Sequence, residues 1–411
     1  MGTVPRQNQP DKQQMTNQAL ILVGGFGTRL GELTRTMPKP MVDVAGRPFL
    51  EYLIWNLKRH GIDDILLSVG YLADEIRSHF GDGSRFGVTI DYVAEDEPAG
   101  TGGGVKLALD RLADDFFVLN GDTLFDVNFL DLALAQRDAG GLASLALRRV
   151  PDAADYGAVA LDHGVVTAFR EKENTGSGLI SGGVYYMTRA AVMRMNEPPF
   201  SIEEDFFPLL VKEGSLSGKE FGGYFIDIGT PERLAASQTE IPAWQQKPAV
   251  FFDRDGVINV NYGYVHSPDK FTWIEGAPEA IKLLNDLGWL VFVVTNQSGI
   301  GRGYYTEAQF LAFSDWIDGE LRENGAHIDQ TFFCPHHPTE ALGEYKRTCP
   351  CRKPEPGMLR QALSQWPVDM DKSFLIGDKK SDVQAARAAG LRGVLYAGGS
   401  LLNLVQRELD S

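Results

Sequence analysis

From residue 18 onward, short apolar runs alternate with amphipathic stretches. Ala19 to Val23 reads as a buried strand. Pro48 then opens a helix whose Leu50, Leu53, Ile54 and Leu57 share one face and which Gly61 stops, and Ile65 to Val69 is the next strand. Strands alternating with helices of this length predict βαβ units and a mostly parallel sheet covered on both faces. The pattern restarts after residues 237–248, which carry two prolines and few apolar positions. Ala249 to Phe252 opens a new strand, Glu279 to Leu287 is helical up to Gly288, Val291 to Thr295 is a strand, and Thr306 with Gln309 forms a capping box for a helix running towards Gly325. The expected fold is α/β, with two doubly wound, Rossmann-like domains at 18–240 and 249–411, joined by a linker at 241–248. Residues 1–17, polar and without periodicity, are expected to form a disordered tail. The halves share no repeated motif.

The chain has 411 residues, beyond the size at which one hydrophobic core usually keeps growing, which supports two domains. Its formal charge of -16 argues against nucleic-acid or anionic-membrane partners, which demand clustered Lys and Arg. Anionic small molecules would instead need local cations or bound metal. With no apolar run of 18 residues and no signal-like segment at its start, the chain is expected to be cytoplasmic. Its three cysteines all fall between Cys334 and Cys351, a clustering that suits a metal site and not a disulfide framework.

In the first half, a glycine-rich loop follows the first strand. Gly24, Gly25 and Gly27 let backbone N–H groups approach a polyphosphate, with Thr28 beside them and Arg29 as a permanent cation. Its spacing matches neither the dinucleotide fingerprint nor the P-loop. Lys39 sits in the stiff Pro38-Lys39-Pro40 segment, and Glu97 to Gly104 offers a second glycine-rich loop for a base or ribose. Taken singly, these features also suit ordinary turns and a solvated lysine. Asp122 closes an apolar run at the carboxyl end of a strand, and Asp227 lies in Phe-Ile-Asp-Ile-Gly-Thr. Two carboxylates suit Mg, which prefers few protein ligands plus phosphates and water. In order and spacing, GGFGTRL, PKPM, EPAGTGGG, LNGD, FREK, SGGVY and FIDIGTPERL resemble the sugar-1-phosphate nucleotidyltransferases, and especially their heptose 1-phosphate guanylyltransferase group. The resemblance implies that Arg29 and Lys39 hold a triphosphate (GTP in that group), Gly103 the nucleotide, Lys172 the sugar phosphate, Gly183 and Glu203 the sugar, and Asp122 with Asp227 the Mg. Val23 and Ser181 depart from the commonest pattern, which bears on sugar identity more than on reaction type.

In the second half, Asp253 and Asp255 lie two residues apart at a strand end, a pair in which one carboxylate can attack phosphorus while the other manages protons. Thr295 and Asn296 end a strand, Lys353 follows Arg352, and Asp378 ends Phe-Leu-Ile-Gly-Asp. Together these match the four haloacid-dehalogenase motifs. That likeness implies Asp253 as nucleophile and Mg ligand, Asp255 as general acid/base and Mg ligand through its carbonyl, Thr295 as phosphate binder, Lys353 as charge stabiliser and Asp378 as Mg ligand. Cys334, His336, Cys349 and Cys351 form the donor set of a closed structural zinc site, with His337 a rival imidazole. The motifs FFDRDGVINV, GYVHSP, TNQSGIGRG, CPHHP, CPCRKP and GDKKSD resemble the heptose 1,7-bisphosphate 7-phosphatases, and histidinol-phosphate phosphatases share this subgroup. Arg302 and Arg352 are candidate phosphate contacts. The resemblances together imply a bifunctional enzyme on the route to GDP-D-glycero-α-D-manno-heptose. The alternatives are another sugar-1-phosphate transferase (mannose or glucose) beside a different phosphatase, or a first domain that only senses nucleotide. Oligomeric state and channelling stay open. The domains are expected to fold independently, a zinc chelator then acting on the second alone.

Overall fold

The computed structural model describes residues 15–25, 28–95, 97–153, 158–170 and 176–411. The first domain is built on a nine-stranded sheet. In spatial order its strands are Thr89–Ala94, Asp64–Val69, Gln18–Leu22, Asp115–Asn120, Gly178–Thr188, Ala143–Val150, Leu216–Glu220, Val165–Arg170 and Ala158–Asp162. The first four run parallel. From Gly178–Thr188 onward antiparallel pairs dominate, so this sheet is mixed where a mostly parallel one was expected. Helix Phe49–Arg59 packs its buried Leu50, Leu53, Ile54 and Leu57 against the sheet, as their spacing required. The register Leu22↔Asn120, closed by the Gly121 amide donating to the Leu22 carbonyl at 2.9 Å, brings the glycine loop beside Asp122.

The second domain carries five parallel strands in the order Gln330–Cys334, Leu290–Asn296, Ala249–Phe252, Phe374–Gly377 and Arg392–Leu395. The three central strands are apolar almost throughout and are buried on both faces, as parallel strands sandwiched by helices require. Thr306 and Gln309 form the expected capping box at the start of helix Glu307–Arg322.

Two expected boundaries differ. Of the expected tail, Met15 is buried in the first core and Asn17 bonds Asp63, because both abut the first strand; residues 1–14 lie outside the described residues. The expected linker 241–248 begins inside helix Pro231–Gln245, which continues through Pro242 because Ile241 and Trp244 bury apolar surface. The chain then crosses as Lys247, itself buried, whose amide and carbonyl bond Pro367 and Asp369 of the second domain. The domains are thus docked through a seam of buried side chains.

Candidate active sites

In the first domain, a cleft of about 420 Å³ opens where the parallel strands end, lined by Gly24, Gly25, Lys39, Glu95, Thr101 and Asp122 among others. The short ladder of Thr123–Phe125 with Phe225–Asp227 pairs Thr123 with Asp227, setting the second carboxylate beside the first. Lys39, almost wholly buried, forms an ion pair with Asp122. Asp227 accepts from the Gly229 amide at 2.9 Å and pairs with Arg233 at 2.6 Å. Two adjacent carboxylates with cations in attendance fit a divalent ion shared with phosphate oxygens.

The expected second glycine loop is in fact helix Gly100–Leu107. Within it Gly103 is buried, and a Cβ there would meet Ala99 at 2.7 Å and Pro198 at 3.0 Å. Gly103 therefore serves close packing, and it is Gly100 and Thr101 that line the cleft. Thr101 and Tyr185 each donate to Glu203 at 2.8 Å, one to each carboxylate oxygen. Burial first, and then Glu203, raise the Tyr185 hydroxyl well above its usual range, so it remains a donor. Gly183 sits at φ +69°, a left-handed turn that re-aims its strand beside Asn120. Gly27, Lys172 and the side chains of Thr28 and Arg29 lie outside the described residues.

In the second domain, Asp253, Asp255, Thr295, Asn296, Lys353 and Asp382 line a cavity of about 320 Å³ at the carboxyl ends of the strands. Lys353 lies 2.9 Å from Asp253 and 2.8 Å from Asp382, and all three are buried. Asn296 exchanges two 3.1 Å bonds with the Lys353 backbone, so it positions that lysine. Asp255 is clamped by Arg254, Gln297 and Asn259 at 2.9–3.1 Å, away from the cluster in which oxygens of Asp253, Asp378 and Asp382 converge within 4.8 Å. Burial, opposed by Lys379 and reinforced by Asp253, raises the Asp378 carboxyl above its usual range. Gly256, at φ +100°, is required there, because a Cβ would lie 2.5 Å from Asp378. This cluster fits a hard divalent cation, with Asp253 and Asp378 offering their Oδ2 atoms as ligands, since Lys353 pairs with Asp253 Oδ1 and Asp382, and Lys379 with Asp378 Oδ1.

Cys334, His336, Cys349 and Cys351 converge within 4.8 Å, with sulfur–sulfur separations of 3.1–3.4 Å and His336 Nδ1 at 3.4–3.6 Å. These spacings and donors fit one tetrahedral zinc ion. The rival His337 stands outside, its Nδ1 accepting from the Glu340 amide. Arg352 donates to the His336 carbonyl at 3.1 Å, tying the metal loop to the segment that carries Lys353. Arg302 pairs with Glu340 and lies over the Tyr264 ring at 5.6 Å.

Comparison with known proteins follows the same division. A nucleotidyl transferase model matches residues 18–243. The chain belongs to the nucleotidyl transferase family. A HAD-hydrolase-like model matches residues 350–403. D-glycero-β-D-manno-heptose-1,7-bisphosphate 7-phosphatase of Yersinia pestis is 48% identical over 147 residues, 36% of this chain and 78% of that protein. The phosphatase of the same name from Escherichia coli K12 is 47% identical over 144 residues, 35% of this chain and 75% of that one. The crystal structure of HddC from Yersinia pseudotuberculosis complexed with GMP-PN superposes with a TM-score of 0.50 at 33% identity, covering 55% of this chain and 99% of that one. The protein is thus a bifunctional enzyme, a nucleotidyltransferase joined to a HAD-like phosphatase. No helix among the described residues is long and apolar enough to cross a membrane.

Sequence reasoning missed Glu95, Tyr185, Arg254, Gln297 and Asp382. Arg254 and Asp382 stand inside motifs that were read, Asp-Arg-Asp-Gly and Gly-Asp-Lys-Lys-Ser-Asp, so both were within sight. Glu95 carried no local signal.

Proposed function

We propose that the phosphatase half hydrolyses the 7-phosphate of D-glycero-D-manno-heptose 1,7-bisphosphate and that the transferase half then joins heptose 1-phosphate to GMP from GTP, yielding GDP-D-glycero-α-D-manno-heptose and pyrophosphate. The observation that carries the choice of base is Glu95. A carboxylate lining a cleft for a polyanion opposes phosphate binding unless it faces the base. Guanine presents N1–H and N2–H2 side by side on its Watson–Crick edge, the donor pair that a carboxylate accepts. Ser68 at 2.8 Å and the Ala99 amide at 3.3 Å steady the Glu95 carboxylate and leave lone pairs over. The relation to HddC, solved with GMP-PN, supports the same nucleotide. The phosphatase relatives are named for the β anomer. The α anomer is proposed because a guanylyltransferase of this group consumes an α-1-phosphate.

In the phosphatase, Asp253 attacks phosphorus to form an aspartyl-phosphate, and Asp255 protonates the leaving C7 oxygen and then takes a proton from the hydrolytic water. Lys353, fixed by Asp382 and Asn296, offsets the charge gathering beside Asp253. In the transferase, Lys39 and Arg29 hold the triphosphate, Lys172 the sugar phosphate, and Glu203 with the Gly183 turn the sugar hydroxyls. Mg bound at Asp122 and Asp227, and at Asp253 and Asp378, would supply charge neutralisation on the transferring phosphoryl groups. Zinc at the Cys3His cluster would staple the loop bearing Arg352 and Lys353 and take no part in chemistry.

Single-site variants of the full chain test this division. Asp253→Asn should abolish phosphate release from the bisphosphate yet still make GDP-heptose from heptose 1-phosphate, and Asp122→Asn should do the reverse. Glu95→Gln should cost GTP roughly 10- to 100-fold in kcat/KM, the worth of one charge-assisted hydrogen bond, while UTP and ATP change little. Equal losses for all triphosphates would remove Glu95 as the base reader.

A further inference from the structure

Both catalytic centres stand at the carboxyl ends of their parallel strands, and the two domains meet through the opposite ends. On the transferase side the seam is formed by Arg59 and His60, which precede strand Asp64–Val69, by Thr16, which precedes strand Gln18–Leu22, and by Asn128 and Asp131 of the helix after Asp126. On the phosphatase side it is formed by Trp289, Asp329 and Trp366, each just before a strand or its lead-in, and by the ends of helices Ala277–Asp286 and Glu307–Arg322.

The contacts across this seam centre on buried charged and aromatic side chains. The Arg59 side chain, 0% exposed, lies 3.4 Å from both Asp126 of its own domain and Asp329 of the other. Lys247 reaches Asp126 at 2.6 Å. Asn128 donates to Asp286 at 2.7 Å and to the Gly325 carbonyl at 2.8 Å, and Arg322 donates to the carbonyls of His60 and Thr16. Trp55 packs between Trp244 and Trp366, at 5.4 and 6.3 Å. Buried charges with partners on both sides hold one geometry, since any sliding would leave a desolvated charge unpaired.

We propose that this seam fixes the two catalytic mouths at opposite poles of one rigid body, so that the sugar phosphate leaving the phosphatase reaches the transferase only through bulk solvent. The identity of that intermediate rests on the function proposed above, whereas the geometry does not. Strands of 6 and 7 residues, Asp64–Val69 and Leu290–Asn296, lead away from the seam on either side; laid end to end at about 3.3 Å per residue they span about 40 Å, the separation expected between the mouths. The cavity that opens at the seam offers no conduit, because the carboxylates of Asp63, Asp114, Asp115, Asp315 and Asp318 line it, with Arg322 the one cation among its lining residues. An anionic sugar phosphate is repelled there.

Isotope dilution with the full chain reads this directly. Carbon-13-labelled heptose bisphosphate, GTP and Mg are supplied together with unlabelled heptose 1-phosphate, and the label in the nucleotide sugar is followed by mass spectrometry. At every time point the nucleotide sugar being formed should carry the label of dissolved heptose 1-phosphate, so that the accumulated product never exceeds the pool, and an equimolar mixture of Asp122→Asn and Asp253→Asn chains should show the same lag as wild type at matched active-site concentrations. A nucleotide sugar richer in label than the pool, or a longer lag in the mixture, would overturn the proposal. If wild type releases phosphate and makes no nucleotide sugar, the proposed function fails instead. Pulsed dipolar EPR between Mn2+ ions at the two carboxylate sites then reads the geometry: a distance of about 40 Å upholds it and one under about 20 Å refutes it.

Discussion

Tyr185, Glu203 and Thr101 form a chain in which a buried phenol and a helix-borne hydroxyl fix one carboxylate, coupling the sugar subsite proposed at Glu203 to the wall of the cleft. Replacing Tyr185 by Phe removes one hydrogen bond to a charged group. We expect KM for the sugar 1-phosphate to rise roughly 10-fold while kcat and KM for GTP stay within about twofold in steady-state assays; an equal loss in all three would make Tyr185 a packing residue only. Asp382→Asn takes from Lys353 one of its two anions, and phosphatase kcat should fall at least about 10-fold with nucleotidyl transfer unchanged. Asp253, Asp378, Asp122 and the cysteines were legible because each stands in a run whose neighbours announce a strand end or a metal pair. Glu95 and Tyr185 were not, since their meaning comes from partners such as Ser68 and Glu203, 27 and 18 residues away.

At the level of elements, the same limit explains which predictions transferred. Helix Phe49–Arg59 and the buried strands of the second domain declared themselves by periodicity. The glycine-rich run at 100–107 did not, because glycine disfavours a helix except where close packing demands it, and here Ala99, Pro198 and Phe200 demand it. Helix Pro231–Gln245 likewise overrode its internal proline through tertiary burial. The end of helix Phe49–Arg59 also carries a pH dependence. His60 is held well below its usual range by burial first, and then by His327, Arg59 and Lys247, against a bond to the Asn56 carbonyl. A histidine whose folded pKa is depressed takes up its proton in the unfolded chain first, so stability falls as pH drops below the unfolded value near 6.5. Between pH 6.5 and 5.5 this group should cost about 1 kcal/mol, and His60→Gln should flatten that part of the Tm-against-pH curve. An unchanged slope in the variant would assign the acid sensitivity elsewhere.

For the whole molecule, composition, charge and the two motif series displayed a two-domain bifunctional enzyme, while the seam stayed hidden. Arg59, Trp55 and Lys247 look like ordinary helix and linker residues until the domains dock. Docking also alters the expectation of independent folding. Arg59→Met leaves the buried Asp329 without its guanidinium, while Asp126 keeps Lys247, and should cost about 3–5 kcal/mol in denaturant unfolding. Zinc chelation should lower one shared transition, read by intrinsic fluorescence and by loss of both activities together; two separated transitions would restore independent domains. The central claim, consecutive phosphatase and guanylyltransferase steps in one chain, is tested most directly in one vessel. Wild-type protein receives α-heptose 1,7-bisphosphate, GTP and Mg, and phosphate, pyrophosphate and nucleotide sugar are followed together. One phosphate, one pyrophosphate and one GDP-heptose per bisphosphate consumed is the predicted result. Phosphate without pyrophosphate, with GTP and every other triphosphate in turn, would contradict it.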